Sequence, residues 1–383
     1  MKRTRTHTPS TLVTYPALRV VIAGGGTGGH LFPGIALAEA FQDKNLETRI
    51  LFAGTGNRLE TTVLAKTPFA HVAISAGGLK GMGWAGRLKA FAKVFMGFFE
   101  SIRLLRQFRP DLVVGVGGYV SGPLVLAALV KRIRTVLHEQ NVIPGMANRI
   151  LAPFVDRIYV SFADSRPFFS LRKTQVSGNP IRKDLARMAE ELNLVEKKAA
   201  ADRKKPFTVL VFGGSQGAQQ INRAVLEAFA YVTETENLFF IHQTGAADEL
   251  CVKNAYAASA MAGRVQSFFT DMARQYAQAD LVICRAGATT IAELSAIGKA
   301  IIFIPYPFAA DDHQARNART MVEKGASEMI LERDLTGRRL AERIEYYRRN
   351  SARLKAMAQR SRTFGRPEAA AQIVADCYRL LAA

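Results

Sequence analysis

The feature that most limits what this chain can become is an apolar run ending in a crowd of glycines, and it occurs twice. Residues 20–23, VVIA, lead into GGGTGGH (24–30), with five glycines in the six positions 24–29. Residues 209–212, VLVF, lead into GGSQGA (213–218). After the first loop, Leu31, Ile35, Leu37, Ala38 and Phe41 recur at helical spacing. Strand, glycine turn and helix leave unpaired backbone N–H groups at a helix start, where they can hold phosphate. A second echo, DLVVGVGGY (111–119) against DLVICRAGA (280–288), extends the duplication. Together the copies predict an α/β chain of two doubly wound, Rossmann-like domains facing each other across a cleft. A length of 383 residues suits two such domains better than one core.

Absent patterns narrow the chemistry. Neither glycine loop is followed by Gly-Lys-Ser/Thr, which argues against a P-loop kinase or NTPase. A nicotinamide dehydrogenase wants an acidic residue at the end of its second strand. Here that strand, 48–52, runs into Phe52, Ala53 and Gly54, with Glu47 before it. No Asp-x-Asp occurs, so the usual hint of a metal-bridged nucleotide-sugar site is missing and no metal is expected. Cys251, Cys284 and Cys377 lie far apart, with neither metal-ligand spacing nor a disulfide framework, which suits a reducing compartment. The net charge of +20 favours an anionic partner: nucleic acid, an acidic membrane surface or a phosphorylated substrate. No nucleic-acid module is visible, so a nucleic-acid partner is not expected. No apolar run approaches the ~20 residues that span a bilayer. The basic N-terminus, MKRTRTHTPS, lacks a following hydrophobic region and reads as a loose tail.

Four polar clusters fall at the carboxyl ends of expected strands, where open α/β sheets place ligands: residues 24–30, 138–141, 213–217 and 285–293. His30 follows a glycine turn at a helix start, and its ordinary pKa of about 6.5 lets it accept a proton at neutral pH. Thr290 and Glu293 read two ways, as a Ser/Thr-x-x-Glu capping box for a helix over 291–297 or as ligand contacts beside a helix start that stabilises a departing diphosphate. Residues 77–108 combine a glycine loop carrying Leu79, Met82 and the single Trp84 with a helix bearing Leu88, Phe91 and Phe95. That stripe reads either as core packing or as an interfacial membrane patch mixed with lysines. Residues 178–182 read as a crossing segment, 190–205 as charged surface, and 367–381 as an amphipathic helix free to pack on either domain.

Several motifs in one order resemble those of the MurG family of GT-B glycosyltransferases. They are GGGTGGH (24–30), GVGGYVSGP (115–123), HEQN (138–141), GNPIR (178–182), GGSQGA (213–218) and AGATTIAEL (286–294). The resemblance implies a GT-B fold, with an acceptor domain over 1–180, a donor domain over 181–365 and a helix, 366–383, returning to the first. It implies inverting transfer of N-acetylglucosamine from UDP-N-acetylglucosamine to the C4 hydroxyl of the muramoyl sugar of lipid I, an undecaprenyl-diphosphate-linked muramoyl peptide. The product would be lipid II for peptidoglycan synthesis, and no cofactor is implied. At the matching positions, Ser215, Ala288, Thr289, Thr290 and Glu293 would hold the donor's diphosphate and ribose, with Ile291 and Ala292 among the donor contacts. The backbone at Phe269 would meet the uracil, Gln314 the sugar hydroxyls, and Arg182 and Asn141 would close the donor site. Thr27, Gly28 and Gly29 would face the acceptor, with His30, and contact the donor across the cleft. His30 would be the general base, with Glu139 as the alternative, and Tyr119 and Asn141 would face the acceptor. Leu79, Met82, Trp84, Leu88, Phe91 and Phe95 would rest on an anionic membrane, placing the protein peripherally on the cytoplasmic face of the inner membrane.

Overall fold

The computed structural model describes residues 15–77, 84–195, 205–214 and 216–383, and only the backbone at 84–91 and 192–195. Leu79, Met82 and Ser215 lie outside the described residues, as do the side chains of Trp84, Leu88 and Phe91.

The first half alternates strand and helix: β1 (Arg19–Ala23), α1 (Gly28–Lys44), β2 (Arg49–Gly54), α2 (Arg58–Leu64), β3 (Ala70–Ala73), α3 (Trp84–Phe108), β4 (Leu112–Gly115), α4 (Ser121–Val130), β5 (Arg134–Glu139), α5 (Met146–Leu151), β6 (Arg157–Val160) and β7 (Thr174–Val176). All seven strands are parallel, in the order β3-β2-β1-β4-β5-β6-β7. The chain reverses direction across the sheet between β1 and β4, so a crevice opens there at the strands' carboxyl ends. The strands read as near-continuous apolar runs because helices bury both faces. Val20 and Ile22 point into one core with Phe41 and Phe52, while Val21 and Ala23 point into the other with Leu124 and Val125.

The crossing segment at 178–182 opens the second half: α6 (Lys183–Val195), β8 (Phe207–Phe212), α7 (Gln219–Ala228), β9 (Leu238–Gln243), α8 (Glu249–Ala257), β10 (Ala262–Gln266), α9 (Met272–Gln278), β11 (Leu281–Cys284), α10 (Ala288–Ile297), β12 (Ala300–Phe303), α11 (His313–Glu323), β13 (Glu328–Met329), α12 (Gly337–Arg349), α13 (Ser351–Arg362) and α14 (Ala369–Ala382). Its six parallel strands run β10-β9-β8-β11-β12-β13, the same winding as the first sheet. The switch point falls between β8 and β11. The stretch at 190–195, expected as plain charged surface, ends the helix α6, whose Leu185 and Ala189 enter the second core.

Helix α14 returns to the first half and packs on α1, putting Ile373, Val374, Cys377 and Tyr378 into the core around Phe41. A polar lock fixes its register: the Tyr159 hydroxyl and the Gln175 amide both donate to Asp376 Oδ2, at 2.9 and 3.0 Å. Against the opposing effect of burial, the hydrogen bonds from Arg379, Tyr159 and Gln175, with the charge of Arg157, hold that carboxylate below its ordinary pKa. Among the described residues no helix is long and apolar enough to cross a membrane.

Ile373 is almost wholly enclosed, so Ile373→Ala should cost about 2–5 kcal/mol. Urea melts should show earlier unfolding of the first half, with the second half's transition unmoved.

Candidate functional site

The carboxyl ends of both sheets meet in one cleft. On the first wall, the glycine loop after β1 is held from beneath by Glu60, a buried carboxylate that accepts from the N–H groups of Gly26 and Gly56 and from the Thr55 hydroxyl. Glu60 sits in the first turn of α2, where the Asn57 side chain caps its own N–H at 2.9 Å. A Cβ at Gly25 or Gly54 would strike this carboxylate. The glycines therefore serve close packing beneath the loop as well as an open backbone above it.

Helix α1 begins at Gly28, with Thr27 as an N-cap that makes no side-chain capping bond. Pro33 lies inside α1 and has no N–H, so the Gly29 carbonyl four residues back loses its helical donor. Thr289, at the start of α10 in the other domain, supplies one: its hydroxyl donates to Gly29 O at 3.2 Å.

His30 belongs to a hydrogen-bonded chain whose direction is set by two carbonyls. Gln140 Nε2 lies 2.8 Å from Val116 O, which can only accept, and this orients the amide. The same Nε2 donates to His138 Nδ1 at 3.1 Å, and His138 Nε2 donates to Gly178 O at 3.2 Å. Gln140 Oε1 is left to accept from His30 Nδ1 at 3.2 Å. His30 thus carries its proton on Nδ1, leaving Nε2 as a lone pair. The ring packs on Gly117, whose φ is +91° and where a Cβ would lie 2.8 Å from two ring atoms. Burial pushes the His30 pKa below its usual 6.5 despite these bonds, and the charge of His313 across the cleft adds to the effect. Burial takes His138 down to about 4.

Glu139 uses both carboxylate oxygens to shape the loop after β5. It accepts from the N–H groups of Asn141 and Gly145 at 2.9 and 3.0 Å and from Asn148 Nδ2 at 2.8 Å. Burial raises its pKa, with these bonds opposing the shift. Asn141 faces the other domain: its Oδ1 accepts from Asn317 Nδ2 at 3.0 Å, and Asn317 Oδ1 accepts from Val142 N–H at 2.9 Å. Tyr119 stands exposed on the loop after β4.

On the second wall, α10 begins three residues earlier than its capping pattern predicts. Gly287 is the N-cap, no side-chain capping bond forms, and the expected Thr290–Glu293 box is not made. Instead Glu293, buried, accepts from the Tyr276 hydroxyl at 3.0 Å and from Arg182 Nε at 3.2 Å. Burial raises its pKa, and Arg182 is the main opposing influence. The Arg182 guanidinium also lies 5.8 Å over the Phe32 ring of α1. Asn179 Nδ2 donates to Thr289 Oγ1 at 3.3 Å, tying the crossing segment to the same helix start. Ala288, Ile291 and Ala292 line a hollow of about 30 Å³ together with Asn179, Phe162, Phe364 and Arg366.

Phe269 is buried, and its N–H donates to Gln243 Oε1 at 2.9 Å, while Gln243 Nε2 donates to Gly214 O at 3.0 Å. Gln243 therefore couples the second glycine loop to the 267–270 turn. Arg285 pairs with Glu332 and donates to Ile304 O and Pro305 O, each at 3.1 Å, fixing the loop that leads to α11. In the first turn of α11, Gln314 Oε1 accepts from Tyr306 N–H at 3.0 Å. Among the described residues no group of three or more His, Cys, Asp or Glu is placed to hold a metal ion.

Most of the expected site residues gather at this cleft, and the residues that hold them there went unread. Gln140 lay inside HEQN and Asn179 inside GNPIR, but nothing marked their partners. Glu60, Gln243, Tyr276 and Asn317 carry no motif at all.

The chain matches the glycosyltransferase family 28 N-terminal domain over residues 20–160 and the C-terminal domain of that family over 208–373. A Citrifermentans bemidjiense protein named UDP-N-acetylglucosamine--N-acetylmuramyl-(pentapeptide) pyrophosphoryl-undecaprenol N-acetylglucosamine transferase is 45% identical over 358 residues, 93% of this chain and 98% of its own. The Myxococcus xanthus protein of the same name is 44% identical over 365 residues, 95% of this chain and 93% of its own. A crystal structure of Acinetobacter baumannii MurG is similar with a TM-score of 0.76 at 28% identity, covering 95% of this chain and all of that one.

Histidine NMR checks the hydrogen-bond assignment. At pH 7 both His30 and His138 should be neutral, with the His30 proton on Nδ1. Gly117→Ala should displace the His30 ring and abolish that Nδ1–H signal while leaving His138 unchanged.

Proposed function

This chain belongs to glycosyltransferase family 28, and from that premise we propose that it moves N-acetylglucosamine from UDP-N-acetylglucosamine to the C4 hydroxyl of the muramoyl sugar in an undecaprenyl-diphosphate-linked acceptor. The relatives' names, at about 45% identity over nearly the whole chain, support the donor and the acceptor class. The observation that carries the mechanism is the His30 ring, oriented through Nδ1 by Gln140 and one residue from the Gly29 carbonyl that touches the start of α10.

The acceptor lies against the first wall, between Tyr119 and the glycine loop. Its C4 oxygen attacks the anomeric carbon in line as His30 Nε2 takes the hydroxyl proton, and the bond from that carbon to the diphosphate breaks. Attack from the face opposite the leaving group inverts the anomeric centre. UDP departs toward α10, whose free N–H groups and positive end stabilise the developing charge. Glu293 and Arg182 hold the ribose side, the backbone beside Phe269 meets the uracil, and the Gln314 amide reaches the sugar hydroxyls. His30 is preferred over Glu139 as base because both Glu139 oxygens are already committed to the 141–148 loop. The lowered pKa keeps His30 in its basic form at neutral pH.

An apolar face supports docking on the membrane that carries such an acceptor. Phe95, Met96 and Phe99 of α3, Leu126 and Val130 of α4, and Met146, Ile150 and Phe154 in and after α5 are all exposed. Exposed Lys93, Lys131, Arg132 and Arg149 lie among them in sequence. Apolar anchors mixed with cations suit an anionic leaflet, at about 1 kcal/mol for each cation near the surface. The protein then works peripherally on the cytoplasmic face of the inner membrane, with the first domain toward the lipid.

Full-length protein given UDP-N-acetylglucosamine and a soluble lipid I analogue should form a β-linked disaccharide product; no transfer would sink the reading. His30→Ala should lower kcat about 100- to 10,000-fold while leaving donor affinity intact, and near-normal turnover would move the base elsewhere. The acid limb of the wild-type kcat/KM profile should fall below pH 6.5, matching the lowered His30 pKa. Glu293→Gln should weaken UDP binding by about 1–3 kcal/mol, read by calorimetry.

A further inference from the structure

The cleft leaves most of the positive charge of this chain unused. Helices α12 and α13, over 337–362, carry nine Lys and Arg against two Glu. Here the second domain has a hollow of about 210 Å³ whose lining includes Ser327, Arg343, Tyr346, Arg353 and Arg360. One water molecule needs only about 10–15 Å³ on this measure.

Its construction is specific. Arg343 is set by Glu328, which accepts from its Nε and Nη2 at 3.0 and 2.7 Å and from the Tyr347 hydroxyl at 2.8 Å. The same guanidinium lies 4.4 and 5.2 Å from the centres of the Tyr346 and Tyr347 rings. Arg353 and Arg360 stand two turns apart on one face of α13, and among the described residues neither makes an ion pair. Gly325, at φ +62°, lets Arg360 lie against the turn, since a Cβ there would come 2.6 Å from Nη1. Ser327 is only 6% exposed, and its hydroxyl has no hydrogen-bond partner. A buried hydroxyl without a partner is costly, and Ser327 lines a hollow edged by Arg353 and Arg360, whose guanidiniums make no ion pair among the described residues.

We propose that this hollow is a second ligand site, separate from the cleft, for the phosphoryl group of a small phosphate-bearing metabolite. Arg353 and Arg360 clamp the oxyanion, and the Ser327 hydroxyl, turned into the hollow on binding, donates to one of its oxygens. Guanidinium forks match phosphate geometry, and a concave polar pocket gives no purchase to an apolar ligand. Tyr346 is stacked against Arg343, which leaves it poorly placed as a platform for nucleic-acid bases.

The test uses inorganic pyrophosphate titrated calorimetrically into full-length protein, with saturating UDP present to fill the cleft. Wild type should bind one equivalent. Arg353→Gln/Arg360→Gln should bind at least about 30-fold more weakly, and Ser327→Ala about 5-fold, the equivalent of one lost hydrogen bond. Both arginines are exposed, so an unchanged Tm should certify the folded state of the double variant. Absence of binding by wild type, or wild-type affinity in the double variant, overturns the proposal. A second arm separates metabolite from lipid: phosphatidylglycerol vesicles should bind the double variant and wild type equally. A variant that keeps pyrophosphate affinity but loses the vesicles assigns these arginines to the membrane surface and overturns the proposal as well.

Discussion

The cleft depends on one hydrogen-bonded chain, running from Val116 O through Gln140 to His30 on one side and through His138 to Gly178 O on the other. It joins the ends of β4 and β5, the start of α1 and the segment by which the chain crosses to its second domain. Its direction is fixed because both terminal groups are carbonyls and can only accept. A proton added to His138 Nδ1 would face the Gln140 amide donor, forcing the amide to turn and give up Val116 O. Burial that holds His138 at about 4 therefore protects the geometry of His30 as well as its charge. The same chain requires glycine at 117, since any side chain there would occupy the place of the imidazole.

Three buried glutamates show how burial alone misleads about role. Glu60 and Glu139 sit beside loops whose backbone N–H groups have no sheet or helix partner, and each carboxylate collects two of them. Their charge is spent on loop shape. Glu293 contacts only side chains, Tyr276 and Arg182, on the face of α10 nearest the other domain. A carboxylate that binds side chains rather than backbone can exchange partners when a ligand arrives without unravelling a loop. That distinction rests on donors far apart in sequence, so no local pattern reveals it.

Much of the fold was legible because fully buried parallel strands have few ways to be written. Apolar runs ending in glycine located β1, β4, β8 and β11, and their repetition implied two similar sheets. The short edge strands β7, β10 and β13 were not legible, since an edge strand half open to solvent carries Thr, Gln, Arg and Glu as readily as apolar residues. The Thr290–Glu293 pair looked like a capping box, but Gly287 takes extended φ/ψ and starts the helix three residues sooner. The place of His30, at a helix start just past a glycine turn, was readable from local chemistry. Gln140 and Asn317 were not, because an amide gains its meaning from its partners, and Asn317 finds one 175 residues away.

The manner in which the two domains touch bears on how such a cleft could work. Thr289 to Gly29, Asn317 to Val142 and Asn141, and Thr320 to Asp164 are neutral or singly charged hydrogen bonds, and Lys183–Asp43 is an exposed ion pair. Each contributes on the order of 1 kcal/mol or less. Apolar contact is concentrated toward the crossing segment, where Val142, Phe162 and Ile181 join the core of the second sheet. An interface that is greasy at one end and weakly polar at the other favours rotation about the greasy end. Pro33 sharpens the point. By stripping Gly29 O of its helical donor it leaves a carbonyl that Thr289 can satisfy when the walls approach and water can satisfy when they part. The contact between the walls thus rests on a bond that water can replace at little cost.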